Sequence, residues 1–171
     1  MKTIRLHGIA KDSIVDGLGL RLAIFTQGCP HACEGCHNPQ SHAMDGGREW
    51  NIAEIQQMMC SNPLLDGITL SGGEPFMQPQ ACWELATFAH SNQLSVWAYT
   101  GFTYEMLKKV KDDSTQALLN EIDVLVDGPF VLAERSLDLV FCGSRNQRVI
   151  DMKQTRTTGK VTLFTPPSWD L

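Results

Sequence analysis

Apolar positions along the chain alternate between short runs typical of β-strands and longer segments with helical spacing. Most of the β-type runs end in glycine and polar residues, as strands do where they enter a loop. The strand-type runs span 20–26, 67–70, 94–99, 122–126, 137–141 and 148–152. The helical segments span 51–62, 79–89, 103–110 and 115–120. The pattern therefore predicts strands and helices in alternation.

Capping residues indicate where three of these helices begin. Asn51 with Glu54 resembles a capping box, in which two side chains close the first helical turn. Pro79 can stand in the first turn of the second helix, where its missing N–H costs nothing. Thr103 can cap the third helix.

The alternation of strands and helices is typical of βαβ units, which form parallel sheets with right-handed crossovers. A closed eight-stranded barrel usually needs about 250 residues and at least about 200, and this chain has 171. We therefore predict an α/β fold: an incomplete barrel of the TIM type, or an open sheet, with about five strand–helix units and mostly parallel strands. A single domain is expected over 1–154, followed by a polar tail over 155–171.

Composition and charge argue against several classes of protein. Hydrophobic residues make up 43% and charged residues 19%, unlike a disordered chain or a fibre. The net charge is −5, without a run of like charges, so neither nucleic-acid nor membrane-surface binding is indicated. No apolar stretch approaches the roughly 18 residues of a spanning helix, and the first residues do not resemble a secretion signal. We expect a cytoplasmic protein.

Six cysteines are present, and in a reducing cytoplasm they are expected to be thiols. Cys29, Cys33 and Cys36 have the spacing CxxxCxxC in the loop after the first predicted strand. A four-iron cluster takes four thiolates, so three would leave one iron open to a non-protein ligand. The alternative is a zinc site in which His31 or His37 completes the ligand set.

A second motif, Ser71-Gly72-Gly73-Glu74-Pro75, follows the next predicted strand. The two motifs together resemble the radical S-adenosylmethionine superfamily. The resemblance implies that Cys29, Cys33 and Cys36 hold a [4Fe–4S] cluster, and that the amino and carboxylate groups of S-adenosylmethionine chelate the fourth iron. It also implies reductive cleavage of S-adenosylmethionine to methionine and a 5′-deoxyadenosyl radical.

By the same resemblance, a set of residues would bind S-adenosylmethionine. Gly73 and Glu74 would contact the methionine amino group, which suits backbone carbonyls and a carboxylate near a cation. Asp127 would reach the ribose or would instead cap its own loop. The full set of implied contacts is Gly35, Cys36, His37, Ser71, Gly72, Gly73, Glu74 and Asp127.

One branch of the superfamily is especially similar. Many members have an aromatic residue directly before the third cysteine, but this chain has Gly35, as is common in the activating proteins of anaerobic ribonucleoside-triphosphate reductase. Segments 13–21, 126–130 and 143–148 also resemble this branch, and the resemblance covers about residues 12–152. Leu18 departs from the pattern, since glycyl-radical activases usually have proline there.

The branch implies a reaction and partners. The adenosyl radical would take a hydrogen atom from a glycine of the reductase, because a glycine Cα radical can flatten without hindrance from a side chain. Asp16, Gly17 and Arg21 would lie near that substrate loop. The strongly reducing cluster implies a flavodoxin or ferredoxin as electron donor. Two other functions stay open: activation of another glycyl-radical enzyme, such as formate acetyltransferase, and a zinc-bound interaction module without catalysis.

Overall fold

The computed structural model describes residues 1–167 and has an α/β fold built on one seven-stranded sheet. The strands are β1 (Thr3–Ser13), β2 (Arg21–Thr26), β3 (Arg48–Asn51), β4 (Gly67–Gly72), β5 (Ser95–Tyr99), β6 (Val124–Asp127) and β7 (Arg148–Asp151). The helices are α1 (Ile52–Ser61), α2 (Pro79–Ser91), α3 (Tyr104–Lys109), α4 (Asp113–Glu121) and α5 (Met152–Thr158). Among the described residues, none of the helices has the length and apolar character needed to span a bilayer.

The predicted helix starts are confirmed. The Asn51 side chain accepts a hydrogen bond from the Ala53 amide at 3.0 Å and so caps α1. Pro79 opens α2. The Thr103 hydroxyl accepts from the Met106 amide at 3.2 Å and caps α3. Local sequence signals therefore determine where these helices begin.

Five of the seven strands run in the same direction. The sheet order is β3-β1-β2-β4-β5-β6-β7. Strands β2, β4, β5 and β6 pair in parallel, β1 is antiparallel to both β2 and β3, and β7 is antiparallel to β6. Within residues 1–167 the edge strands β3 and β7 are not paired with each other, so the sheet is open. This agrees with the predicted α/β fold with an unclosed, mostly parallel sheet.

The two faces of the sheet are covered differently. On one face, Ile24 and Ile68 belong to a large buried core that includes Leu85 of α2. On the other face, Trp97 and Val126 belong to a smaller cluster that is covered by side chains from loops. The second face therefore carries less secondary structure.

The carboxyl ends of the parallel strands bring polar loops to one edge of the sheet. Thr26 at the end of β2 lies opposite Gly72 at the end of β4, and Tyr99 of β5 lies opposite Val126 of β6. The loop after β2 that carries Cys29, Cys33 and Cys36, here called the cysteine loop, thus lies beside the segment 71–75 at the end of β4, here called the glycine motif. This is the edge at which α/β folds place their sites.

Strands β1 and β3 were not indicated by the hydrophobic pattern. Register shifts in β1 occur between Leu6 and Gly8 and between Ala10 and Ser13. Such a shift disturbs the strict alternation of side chains by which a strand is recognised. Strand β3 has only four residues, which is too short for a periodic signal.

The apolar run 137–141 does not form a strand. Leu137 and Val140 are exposed, and Phe141 has a φ of 65°, a left-handed conformation that interrupts an extended chain. The Phe141 ring packs edge-on against Trp97, with the ring centroids 4.9 Å apart. The run is therefore a loop that covers the smaller cluster.

The chain remains packed on the sheet beyond the domain boundary expected at residue 154. Helix α5 crosses that boundary and ends at Gly159, which has a φ of 72°. Further on, the Phe164 amide donates to the Val149 carbonyl at 2.8 Å. Two apolar side chains of this mostly polar segment also pack inward, Val161 against the main core and Phe164 against the smaller cluster. Residues 168–171, at the end of the expected tail, lie outside the described residues.

Candidate cluster and cofactor site

The cysteine loop is anchored at its start. The Gly28 amide donates to the Ser41 carbonyl at 2.8 Å, and the Cys29 amide donates to the His42 carbonyl at 3.1 Å. Gly28 has a φ of 99°, a backbone conformation that side chains disfavour. The sharp change of direction after β2 therefore depends on glycine at this position.

The three predicted ligand cysteines are free thiols, and each is half-buried. The Cys36 amide donates to the Cys33 carbonyl at 3.2 Å, which closes a turn between them. The Asn38 amide lies 3.5 Å from the Cys36 sulfur and donates to it. Burial raises the pKa of the Cys29 thiol, and a bound metal would act against this shift because it is ligated by the thiolate.

The donor set fits an iron–sulfur cluster. Thiolates are the protein ligands of such clusters, and three free thiols lie on this one loop. Within residues 1–167, no three His, Cys, Asp or Glu side chains are arranged to hold a metal ion between them. In a four-iron cluster each thiolate binds a separate iron, so the sulfur atoms stand further apart than around one ion.

The glycine motif packs closely against the start of the cysteine loop. A Cβ at Gly72 would lie 2.6 Å from the Phe25 Cα, and a Cβ at Gly73 would lie 2.5 Å from the Gly28 carbonyl oxygen. Ser71, directly before them, is half-buried at the end of β4. Gly72 therefore allows β4 to lie close to β2, and Gly73 allows the loops after the two strands to touch.

Glu74 is fully buried, and its carboxylate is bonded to other parts of the protein. The Phe76 amide donates to Oε1 at 3.1 Å. The Thr100 hydroxyl donates at 2.9 Å, also to Oε1. The Gly101 amide donates to Oε2 at 2.9 Å, and His31 Nε2 donates to Oε2 at 2.6 Å. The carboxylate thus connects the loops after β2, β4 and β5.

Sequence reasoning missed this role of His31, which it considered only as a zinc ligand. The imidazole packs edge-on against Phe102, with ring centroids 4.5 Å apart. A Cβ at Gly101 would lie 2.3 Å from His31 Cδ2, so the ring occupies the space left by the glycine. The only sequence signal was the Thr100-Gly101 pair at the end of a predicted strand.

The third-cysteine end of the loop contacts the segment between β6 and β7. Gly35 has a φ of 74°, and a Cβ there would lie 2.9 Å from Leu132 Cδ1. The His37 ring lies 5.4 Å from the Phe130 ring, centroid to centroid. Glycine suits this position because a side chain would strain the backbone at a positive φ.

Asp127 is buried at the end of β6, and both of its carboxylate oxygens are engaged. Arg148 Nε donates to Oδ1 at 3.0 Å, and the Tyr104 amide donates to Oδ2 at 2.8 Å. The hydrogen bonds from Arg148 to Asp127, followed by those to Glu105, raise the pKa of Arg148 above its usual value. These bonds join the end of β6 to β7 and to the start of α3, and the contact of Asp127 with the ribose stays a prediction.

The segment with Asp16, Gly17 and Arg21 lies over the second face of the sheet. Arg21 is buried, and its Nε donates to the Thr69 hydroxyl at 2.7 Å. Burial lowers the pKa of Arg21 to about 10. Gly17 has a φ of 125°, and a Cβ there would lie 2.9 Å from both the Arg21 and Trp97 side chains. The buried Arg21 side chain therefore supports this segment from inside the fold.

The Asp16 backbone is held by the sheet. Its carbonyl accepts a hydrogen bond from the Thr69 hydroxyl at 2.6 Å, and its side chain accepts one from Ser13. Arg21 begins β2 and the cysteine loop follows the end of that strand, so roughly 17 Å of extended chain separates them. Asp16, which is half-buried, remains the accessible member of the predicted substrate-loop set.

Comparisons with known proteins agree with this site. The family model described as "4Fe-4S single cluster domain" matches residues 15–150, which include the three cysteines. The chain is 34% identical over 145 residues to the anaerobic ribonucleoside-triphosphate reductase-activating protein of Haemophilus influenzae, which covers 78% of this chain and 89% of that relative. The relative of that name from Escherichia coli K12 is 32% identical over 147 residues, or 80% of this chain and 91% of that relative.

A relative with another name matches a smaller share of its own length. The pyruvate formate-lyase-activating enzyme of Clostridium pasteurianum is 29% identical over 134 residues, which is 67% of this chain and 56% of that relative. The family model and the full-length relatives lead to one assignment. The chain belongs to the family of anaerobic ribonucleoside-triphosphate reductase-activating proteins.

Proposed function

We propose that this chain is a radical S-adenosylmethionine enzyme that generates the glycyl radical of an anaerobic ribonucleoside-triphosphate reductase. The observation that carries the proposal is the contact between the cysteine loop after β2 and the glycine motif after β4. The two motifs come together at the carboxyl edge of the parallel strands, where sites of α/β folds lie.

Cys29, Cys33 and Cys36 are the proposed cluster ligands. When bound, the [4Fe–4S] cluster and S-adenosylmethionine supply one-electron cleavage of the sulfonium and a radical that abstracts hydrogen. The protein binds and orients these groups. Accordingly, the proposal needs no acid–base pair among the side chains.

The proposed contacts to S-adenosylmethionine come from two loops. Gly35, Cys36 and His37 would contribute from the end of the cysteine loop, and Ser71–Glu74 from the glycine motif, with Asp127 as a further candidate. Gly72 and Gly73 have no side chain between their backbone and the site, which allows a ligand to approach closely. The Glu74 and Asp127 carboxylates already accept hydrogen bonds from protein side chains. These bonds favour a role for both residues in holding the loops around the cofactor.

The reductase is proposed as the target because of the extent of the match. Relatives named as its activators are covered over 89% and 91% of their length, whereas the pyruvate formate-lyase activator is covered over 56%. The unclosed sheet is consistent with a protein substrate, because a loop of a partner needs room to reach the site. We further propose a flavodoxin or ferredoxin as electron donor and a cytoplasmic, anaerobic setting.

Anaerobic reconstitution tests this proposal. The protein should take up iron and sulfide, and after dithionite reduction it should convert S-adenosylmethionine to 5′-deoxyadenosine. Electron paramagnetic resonance should then detect a glycyl radical on a purified anaerobic ribonucleotide reductase. A radical formed only on formate acetyltransferase would identify the other target, and one tightly bound zinc without iron or sulfide would contradict the enzyme.

A further inference from the structure

Glu74 contacts the cysteine loop at two points. Its amide donates to the Gly28 carbonyl at 2.8 Å, directly before Cys29. Its carboxylate accepts a hydrogen bond from His31 Nε2 at 2.6 Å, midway between Cys29 and Cys33. The first half of the loop is therefore attached to the end of β4 at its start and at its centre.

The carboxylate end of the His31–Glu74 contact is rigid. Glu74 is fully buried, and the Thr100 hydroxyl and the Gly101 amide each donate to it at 2.9 Å. Rotating this carboxylate would leave buried donors without an acceptor, which is costly. Glu74 thus presents a fixed acceptor to the loop.

The imidazole end is enclosed. The His31 side chain is only 15% exposed. Phe102 lies edge-on to the ring at an interplanar angle of 74°. The ring also packs directly against the Gly101 backbone, where a Cβ would lie 2.3 Å from His31 Cδ2. The ring therefore has one well-defined orientation, in which Nε2 faces Glu74.

We propose that His31 is the positioning residue of the cysteine loop: bonded to the fixed Glu74 carboxylate, it orders residues 29–33 before a cluster is present. In this arrangement Glu74 acts on the cluster site through His31. The inference deepens the proposed function and rests on it, because the loop is taken to hold the cluster.

An ordered loop should favour cluster binding for an entropic reason. Ordering each flexible residue costs conformational entropy, and a loop that is already ordered avoids this cost when it binds. Mutation of a residue that orients metal ligands without binding the metal itself typically lowers metal affinity by about 10- to 100-fold. We expect an effect of that size from the loss of the His31 side chain.

Hydrogen–deuterium exchange of the cluster-free protein is the first test. In His31→Ala, the Cys29 amide, which donates to the His42 carbonyl at 3.1 Å, should exchange at least about tenfold faster than in the wild type, because the local structure opens more readily. Exchange in β4 and β5 should not change. His31→Gln keeps an N–H donor for Glu74 and should restore most of the protection.

His90→Gln is the matched control. His90 is also bonded to two carboxylates, Glu121 at 2.7 Å and Asp123 at 2.9 Å, but it lies at the amino-terminal end of the parallel strands. Its replacement should leave exchange of the Cys29 amide unchanged. Equal acceleration in His90→Gln, or wild-type exchange in His31→Ala, would overturn the inference.

The second measurement is cluster retention after anaerobic reconstitution. His31→Ala should lose iron to a chelator about 10- to 100-fold faster than the wild type, and His31→Gln and His90→Gln should stay close to it. Wild-type retention in His31→Ala would count against the inference. If the wild-type protein takes up no iron, the proposed function fails, and the exchange experiment still decides whether His31 orders the loop.

Discussion

Arg148 lies directly opposite Asp127 in the antiparallel β6–β7 pair, and the two form a two-pronged ion pair. Arg148 Nε donates to Oδ1 at 3.0 Å and Nη2 donates to Oδ2 at 2.5 Å. The same guanidinium also reaches Glu105 on α3, at 2.7 Å. Because Asp127 is buried and Glu105 is exposed, the two halves of this network should differ in their contribution to stability.

We expect Asp127→Asn to lower the free energy of unfolding by about 2 kcal/mol, because Arg148 and the Tyr104 amide lose a charged acceptor. Glu105→Gln removes the exposed partner of the same arginine and should cost less than about 1 kcal/mol. Urea unfolding at neutral pH measures both values. Equal losses in the two variants would show that burial does not distinguish the two ion pairs.

Replacement of a proposed cluster ligand should abolish cluster assembly. In Cys33→Ala only two thiolates remain, and two cannot hold three irons. We expect no iron–sulfur absorbance after reconstitution and no 5′-deoxyadenosine. Cys60→Ala is the control, because Cys60 is an exposed thiol on α1. Undiminished cleavage of S-adenosylmethionine by Cys33→Ala would contradict the ligand assignment.

The His90 interactions should make stability depend on pH. Burial by itself lowers the pKa of His90, but its hydrogen bonds to Asp123 and Glu121 outweigh burial and raise it. The stabilisation is therefore fully present below the unfolded pKa, about 6.5, and is lost as the pH rises through the folded pKa. Because the site is partly exposed, we expect about 1 kcal/mol or less.

His90→Gln isolates that contribution. Its unfolding free energy should fall below that of the wild type at pH 5.5, and the difference should shrink at pH 8.5. Asp66, Asp151, Lys153 and Arg156 line the same cavity and are unchanged in the variant. A difference that grows with pH would have the wrong sign for this assignment.

Gly35 and Gly159 have nearly equal φ angles, so alanine variants at the two positions can distinguish backbone strain from an effect on the cluster site. Gly35 has a φ of 74° and Gly159 a φ of 72°. Alanine at either position should cost about 1 kcal/mol of stability, because side chains disfavour this conformation. Only Gly35 lies in the cysteine loop, and a Cβ there would also meet Leu132 at 2.9 Å.

We therefore expect Gly35→Ala to lower both thermal stability and iron uptake, and Gly159→Ala to lower thermal stability alone. A Cβ at Gly159 would have no heavy atom within 4 Å. Calorimetry and iron analysis of the reconstituted proteins measure the two effects. Equal iron uptake in the two variants would mean that the conformation at Gly35 does not matter for the cluster.

Much of the fold could be predicted from local signals. The runs that became β2, β4, β5 and β6 are short and apolar, and Pro79 and Thr103 mark helix starts that the structure confirms. Prediction failed where the local pattern is broken, as in β1 with its register shifts. It also failed at 137–141, where the apolar residues form a loop next to the smaller cluster and do not extend the sheet.

The sequence by itself determined the chemistry of the site: three thiols at close spacing, a glycine motif, and strand ends that carry both. The tertiary structure alone decided how the charged side chains are used. His31 meets Glu74 across 43 residues, Arg148 meets Asp127 across 21, and Arg21 meets Thr69 across 48. The ability of a thiol to bind iron follows from the residue type alone. A buried carboxylate or guanidinium must be paired, and the fold determines which partner lies close enough to pair with it.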